Sequence, residues 1–514
     1  MLGNRQPTAI PSRPPAGQPV VSPGGAKRAI IDIGSNTVRL VVYNGPPRAP
    51  VVVLNEKVNA RLGKDLGRTG AIPEKAMRTA LSALARYAAL IELLEVESVE
   101  CVATAAARDA SNGPAFLDAV RGFGLSPRLL SGEEEARASA TGVIAAFPGA
   151  RGIAADLGGG SLELVEIDGE VRAGGITLPL GTLRLPDLRA AGPLKFADTV
   201  RKALEARGWA DGSQHSRGLP LYIVGGSWRA LALQAMRVLN WPVDDPHGFE
   251  LTATEALRLA RQFEKGRLDD PDPRISSARL NTLPDAAALM VQLIERLAPS
   301  HLVFSSWGLR EGLLHMQLPA HVQQENPMLA SVAAFAKAAR AELDDAVRIA
   351  EWTTPACRDS NADGDLRTAA SLLALAAQRT EPNMRTEEAL AWALRKRWIG
   401  IDMRGRAMMA MAELANCGTT EIPAPFLRLA ERADLDRAIG WGLAVRVCRR
   451  LTAGTRRALA TTSLTIQNGA LVLTLQEPAQ ALYSASIGKD VKALAEWLGL
   501  EWRVDAMGGV AVEG

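Results

Sequence analysis

Residues 153–169 read IAADLGGGSLELVEIDG. An apolar run ends in Asp156, then come Gly158, Gly159, Gly160 and Ser161, and Glu163 stands inside a second apolar run. A reverse turn needs one or two glycines. Three in a row remove every Cβ and leave a line of bare backbone N–H groups, which can close around an anion. Carboxylates on both sides of such a loop then require a cation between themselves and the anion. The stretch reads as strand, tight loop, strand, with the composition of a metal–phosphate site.

An earlier stretch matches it. Residues 29–45, AIIDIGSNTVRLVVYNG, lie over it with Asp32 on Asp156, Gly34 on Gly158, Thr37 on Ser161, Leu40 on Leu164 and Gly45 on Gly169. Both copies end in a hairpin signal, Asn44-Gly45 and Asp168-Gly169. Two matching hairpins predict two matching α/β domains facing one cleft.

Helical text follows each copy. Residues 74–96 have helical apolar spacing, and VESVECVA after them reads as a strand. In LSGEEEARASATGVIAAF (residues 130–147) Ser131 is the expected N-cap and Glu134 its capping-box partner. LYIVGGSWRALALQAM (221–236) reads as strand, Gly-Gly turn and helix, which places backbone N–H groups at a second anion position. HLVFSSWGLREGLLHMQL (301–318) repeats that pattern and closes the second domain.

At 514 residues the chain is long enough for several domains, and its apolar and charged shares, 47% and 22%, are those of an ordinary globular protein. A net charge of +3 gives no global field for nucleic acid, so no specific nucleic-acid partner is expected. Cys101, Cys357, Cys417 and Cys448 form no CxxC pair, which argues against a zinc site or disulfide scaffold and fits a reducing cytoplasm. No apolar run approaches the roughly 20 residues of a membrane span. Residues 1–27, rich in proline and glycine and without a signal peptide's apolar core, are expected to be a disordered tail.

DIGSNTVRL, ATAAARDASNG, LSGEEEARASATGV, DLGGGSLEL, LPLGTLRL, VGGSWRALA and GLREGLL occur in this order between residues 29 and 318. Together they resemble the exopolyphosphatase/guanosine pentaphosphate phosphohydrolase family. The resemblance implies a duplicated actin-like, ribonuclease-H-like α/β core that closes on a phosphate chain, and Mg²⁺-assisted hydrolysis of terminal phosphoanhydride bonds. Mn²⁺ is the implied substitute ion, a monovalent cation the implied stimulant, and a homodimer the implied assembly. On the matching positions, Glu135 becomes the general base. Asp156 and Glu163 become the metal-site acids. Asp32 with Gly34, Ser35, Asn36 and Thr37 becomes the first phosphate loop, and Gly158, Gly159, Gly160 and Ser161 the second. Gly225 and Gly226 form a third turn and Arg108 a substrate-phosphate contact. Apart from the resemblance, Arg39 and Arg184 read as structural or accessory.

The chemistry is consistent with these residue types. Phosphoanhydride hydrolysis needs a placed water, a base, and neutralisation of charge on phosphate oxygens. Mg²⁺ takes one or two carboxylates together with waters and substrate oxygens. Glu135, in the first turn of a helix, is expected to be held ionised by the helix dipole.

The expected domains are 28–140 and 141–320 for the duplicated core, 321–455 for an all-helical part, and 461–514 for a small α+β domain. Family members with a long C-terminus carry a helical domain related to HD phosphohydrolases. Here the histidines are His215, His247, His301, His315 and His321, so residues 322–455 cannot build an HD metal site. Asp363 and Asp365 read as a solvated loop and helix cap. Arg395, Lys396, Arg397, Arg404 and Arg406, and the arginines of residues 446–457, suggest a basic path for a polyanion. QNGA at 467–470 marks a hairpin in the last domain. The leading functional expectation is an exopolyphosphatase acting on inorganic polyphosphate. A guanosine pentaphosphate 5'-phosphohydrolase and a phosphate-chain sensor with vestigial catalysis are the alternatives, and a sugar or acetate kinase is disfavoured.

Overall fold

The computed structural model of the protein describes residues 26–171, 175–209, 217–266, 268, 270–357 and 363–506. The expected tail lies, up to residue 25, outside the described residues. Two compact units form: one runs through Val238 and resumes over Phe249–Gln324, and the other combines Leu239–Gly248 with the chain from Glu325 onward.

The first unit holds two sheets that share a five-strand topology, the second with one added antiparallel edge strand. In one, β1 (Arg28–Ile33), β2 (Val38–Asn44), β3 (Val51–Val58), β4 (Ser98–Ala103) and β5 (Pro127–Leu129) stand in the order β3-β2-β1-β4-β5. In the other, β6 (Arg151–Leu157), β7 (Leu162–Asp168), β8 (Ile176–Leu178), β9 (Leu221–Val224), β10 (Glu250–Thr252) and β11 (His301–Phe304) stand in the order β10-β11-β9-β6-β7-β8. Each begins with an antiparallel meander of three strands, and the first strand of each meander pairs in parallel with a later one. The repeated sequence is therefore a repeated fold, the duplicated actin-like arrangement. Even the hairpin tips agree: the N–H of Gly34 donates to the carbonyl of Thr37 at 2.9 Å, and that of Gly158 to Ser161 at 3.0 Å.

Two helices lie between the sheets, α1 (Gly132–Ala146) and α2 (Leu309–Met316). Ala136, Ala140 and Val143 of α1 pack with Val165, Tyr222 and Val303 of the second sheet. Ala138 of α1 and Leu313 and Leu314 of α2 pack with Ile30, Val41 and Val102 of the first. The helices touch through small residues: a Cβ on Gly142 would strike the Gly308 carbonyl, and one on Gly312 the Ala138 carbonyl. The capping box forms as read, with Glu134 N donating to Ser131 Oγ at 3.1 Å and Ser131 N to Glu134 Oε2 at 2.8 Å. The expected boundary between residues 140 and 141 falls inside α1, because one helix serves both sheets.

The second unit is helical, with a three-stranded sheet at its end. Its centre is α3 (Met403–Cys417), buried almost throughout and packed against α4 (Arg432–Thr452). The end sheet follows the order β12 (Thr462–Gln467), β13 (Ala470–Leu475), β14 (Glu501–Ala506), with the helix Ala485–Leu498 linking the last two strands. The β12–β13 hairpin turns at Asn468-Gly469, both at positive φ, as the sequence suggested.

Most cations of the basic path expected in this unit are engaged within it. Arg406 is fully buried and pairs with Asp245 at 3.2 Å, and Arg397 meets the same carboxylate at 2.8 Å. Arg404 pairs with Asp434 at 2.8 Å and Asp363 at 3.2 Å, and Arg395 with Asp244 at 3.4 Å. Lys396 lies over the rings of Phe335 and Trp398. Arg446 and Arg450 pair with Asp490. Arg397, Arg404, Arg406, Arg446 and Arg450 thus compensate buried acids, whereas Arg395 meets an exposed one. Asp363, read as solvated, is 1% exposed between Arg404 and Arg437.

Candidate active site

The hairpin tips of the two sheets open into one cavity of about 400 Å³. It is lined by Asp32, Gly34, Ser35, Asn36 and Thr37 from one copy, by Asp156, Gly158, Gly159, Gly160, Ser161 and Glu163 from the other, and by Glu135, Gly225 and Gly226. Three of these glycines have a steric reason. A Cβ on Gly159 would press on Asn36 N at 2.8 Å, and one on Gly160 on Ser35 Oγ at 2.7 Å, so the loops meet only where side chains are missing. Gly225, at φ +116°, lies where a Cβ would stand 2.5 Å from the Leu157 carbonyl.

Strand register sets the acids. Asp156 on β6 is directly opposite Glu163 on β7, so both point to one face. Ser139 of α1 donates its hydroxyl to Asp156 Oδ2. Glu163 is 2% exposed, and its Oε1 has no hydrogen-bond partner. Burial pushes the carboxyls of Asp32 and Asp156 up, against the pull of Arg310. Glu163 is driven well above the carboxylate range, first by burial and then by Glu135 and Asp156.

Glu135 is raised to about 7, first by burial and then, against Arg108, by Asp156 and Asp32. The expectation that the helix dipole would hold it low is overturned: a dipole effect of about 0.3–1 kcal/mol is smaller than the cost of a buried carboxylate among other acids. Arg108 does not line the cavity. It donates to the Leu130 carbonyl at 2.9 Å and lies 3.5 Å from Glu135 Oε2, behind the acid.

Sequence reading named only Arg39 of the basic wall. Arg39, Lys57, Arg229, Arg274, Arg279 and Arg310 also line the cavity. Arg229 and Arg310 sit in quoted motifs, VGGSWRALA and GLREGLL, but Lys57 and Arg279 belong to none. Tyr43 donates to Glu311 Oε1 at 2.8 Å, and Glu311 Oε2 accepts from Gly308 N at 3.1 Å, which holds the start of α2 at the cavity floor.

A model of the Ppx/GppA phosphatase family matches residues 41–321, more than half of the chain. The chain belongs to the Ppx/GppA phosphatase family. Retrograde regulation protein 2 of Saccharomyces cerevisiae is 27% identical over 335 residues, covering 58% of this chain and 57% of its own length. The chain thus spans little more than half of that curated relative. Among solved structures, an exopolyphosphatase from Cytophaga hutchinsonii is 22% identical with a TM-score of 0.50, covering 56% of this chain and 97% of its own. This likeness supports the actin-like fold. The Aquifex aeolicus PPX-GPPA enzyme is 27% identical with a TM-score of 0.47, covering 56% and 98%. The Ppx/GppA match stops near the end of the first unit, so the chain from Glu325 onward lies outside it. No helix among the described residues is long and apolar enough to cross a membrane.

Proposed function

We propose that the chain is an exopolyphosphatase, which hydrolyses the terminal phosphoanhydride bond of inorganic polyphosphate and releases orthophosphate. One observation carries this reading: Asp32, Glu135, Asp156 and Glu163 converge beside glycine loops in a cavity that Arg39, Lys57, Arg229, Arg274, Arg279 and Arg310 also line. An ion among the acids and a phosphate chain along the cations would satisfy both sets of charges.

Glu135 is the base. A water between its carboxylate and the terminal phosphorus gives its proton to Glu135 as its oxygen bonds to phosphorus. The bond from that phosphorus to the bridging oxygen breaks, and the electron pair leaves on the shortened chain. A carboxyl at about 7 is poised for this at neutral pH. Arg108 holds it from behind, and the loop N–H groups face the phosphoryl oxygens.

Divalent-metal dependence is general in the family, and the residues here fit such an ion. Glu163 Oε1 is an orphaned buried acceptor directly across the ladder from Asp156. Among the described residues no three or more His, Cys, Asp or Glu side chains group as metal ligands. Asp156 and Glu163 would then supply a partial shell, completed by water and substrate oxygens, as suits Mg²⁺ or Mn²⁺. A bound ion would neutralise phosphoryl charge and the repulsion among the acids.

The alternative substrate, guanosine pentaphosphate, uses the same machinery. Polyphosphate is favoured because no aromatic side chain among the described residues lines the cavity to stack a base. Cys101 and Cys448 are buried thiols, in keeping with a cytoplasmic protein, and a homodimer completes the proposal. Orthophosphate release from long-chain polyphosphate, with guanosine pentaphosphate as competitor, tests the reading. Release without effective competition supports it, and binding without release would leave a sensor.

A further inference from the structure

A serine or threonine in a helix interior commonly points to solvent or bonds the carbonyl four residues back. On α1, Thr141 takes the second course and donates to the Arg137 carbonyl at 2.9 Å. Ser139, two residues earlier, is 3% exposed, and its hydroxyl leaves the helix to donate to Asp156 Oδ2 on β6. Asp156 lines the cavity and Ser139 does not. The serine therefore stands behind the acid, outside the space a substrate would fill.

The start of α2 closes over this bond. A Cβ on Gly308 would stand 3.3 Å from Ser139 Oγ and 3.5 Å from Asp156 Oδ2, and one on Gly142 of α1 would strike the Gly308 carbonyl. Gly308 is itself held, because its N–H donates to Glu311 Oε2 at 3.1 Å while Glu311 Oε1 accepts from Tyr43 at 2.8 Å. Serine and acid thus meet under backbone that is anchored to the first sheet. The anchoring matters because the terminal torsion of an aspartate is broad, and a carboxylate with no fixed oxygen turns freely in its plane of contact. The two acids of the ladder differ in this respect: Asp156 has Oδ2 fixed from α1, whereas Glu163, directly opposite, keeps Oε1 without a hydrogen-bond partner. Asp156 also acts on Glu135 and Glu163 and feels Asp32, so its orientation bears on the whole set of acids.

We propose that Ser139 is a positioning residue for the ion site: by holding Oδ2 it fixes the plane of the Asp156 carboxylate and leaves the other oxygen for a divalent cation shared with Glu163. This rests on the reading of Asp156 and Glu163 as ion ligands of a phosphohydrolase. A hydrogen bond that orients an ion-binding carboxylate from outside typically carries about 10–100-fold in metal affinity. Ser139 touches neither the attacking water nor the phosphate chain, so its effect reaches the reaction only through the ion.

The test is Mn²⁺ binding to the full chain without substrate, read from the electron paramagnetic resonance signal of the free ion, with Mg²⁺ as competitor. Ser139→Ala removes the hydroxyl, and Ser139→Cys keeps a side chain of similar shape with only a weak donor. Both should weaken Mn²⁺ by about 10–100-fold, while Thr141→Ala on the same helix should change it by less than about threefold. Melting in chelator checks that each variant is folded. If Ser139 only fills space, Ser139→Cys will bind like the wild type, and that result overturns the proposal. Unchanged affinity in both Ser139 variants overturns it too, as does a wild type that binds no Mn²⁺. In turnover, Ser139→Ala should need more Mg²⁺ for its half-maximal rate and recover most of the wild-type kcat at saturating Mg²⁺. If the wild type binds Mn²⁺ and the Ser139 variants lose it as stated, but no phosphate is released from polyphosphate, the hydrolase reading fails and the positioning role stands.

Discussion

Replacing Glu135 with glutamine should make the metal-free protein more stable while making it a far poorer catalyst. Glu135 is a carboxyl whose ordinary value of 4.5 is raised to about 7 by burial and by Asp156 and Asp32. A displacement of that size corresponds to roughly 3 kcal/mol. The native state holds a proton that the unfolded chain has released, so stability is fully present below 4.5 and is lost as pH rises through 7. Glutamine carries no charge to bury. The variant should match the wild type near pH 4.5, gain through the interval, and hold a constant advantage of up to about 3 kcal/mol above pH 8. At about 2 °C per kcal/mol for a large domain, melting of the first unit should rise by roughly 5 °C at pH 8. The assay is thermal unfolding of both proteins in chelator from pH 5 to 9. Adding Mg²⁺ should stabilise the wild type more and narrow the gap. Turnover should fall by about 10²–10⁴-fold. A melting difference that is absent, or independent of pH, would mean that Glu135 is not held among the other acids, and the site as described would be wrong.

Other consequences can be measured in the same protein. Asp156→Ala and Glu163→Ala should each raise the Mg²⁺ concentration needed for half-maximal activity, and titration curves identical to wild type would remove both from the ion site. The acidic limb of kcat/KM should follow Glu135 and turn below the metal-free value of about 7, since a bound ion relieves the repulsion among the acids, and Arg108→Gln should move it upward because the guanidinium favours the ionised acid. Gly225→Ala forces a side chain onto φ +116° against the Leu157 carbonyl. It should cost about 1–3 kcal/mol in denaturant titration. Arg406→Ala removes one buried partner of Asp245, which keeps Arg397. It should destabilise the second unit by up to about 3–5 kcal/mol, while the salt dependence of KM for long polyphosphate stays as in the wild type.

The duplicated core was legible because its signals are local. Strand, glycine turn and Asn-Gly or Asp-Gly hairpin recur in the same spacing, and the Ser131–Glu134 capping box can be read from four residues. The acids were legible for the same reason, since Asp156 and Glu163 flank one loop. The basic wall was not. Lys57 lies on a strand with no motif, and only the register β1–β2–β3 reveals that it continues the row begun by Asp32. Arg279 becomes a cleft residue through a contact with Ser227, far away in sequence. In the second unit, α3 is buried on nearly every side, so the 3.6-residue period that exposes an amphipathic helix is absent from MRGRAMMAMAELANC. Without that helix in view, Arg404 and Arg406 counted as surface charge, when burial and acids distant in sequence had already engaged them. The raised Glu135 was missed because a helix start is visible in sequence and a second carboxylate folded against it is not.

The central claim is that Glu135, among the buried acids, activates water against a phosphoanhydride chain held by the glycine loops and the basic wall. Its most direct test is orthophosphate release from long-chain inorganic polyphosphate with Mg²⁺ at pH 8, comparing the wild type with Glu135→Gln at matched tripolyphosphate occupancy. Steady release by the wild type, reduced about 10²–10⁴-fold in the variant with binding intact, is the result predicted. No release by the wild type, or equal release by both proteins, would contradict it.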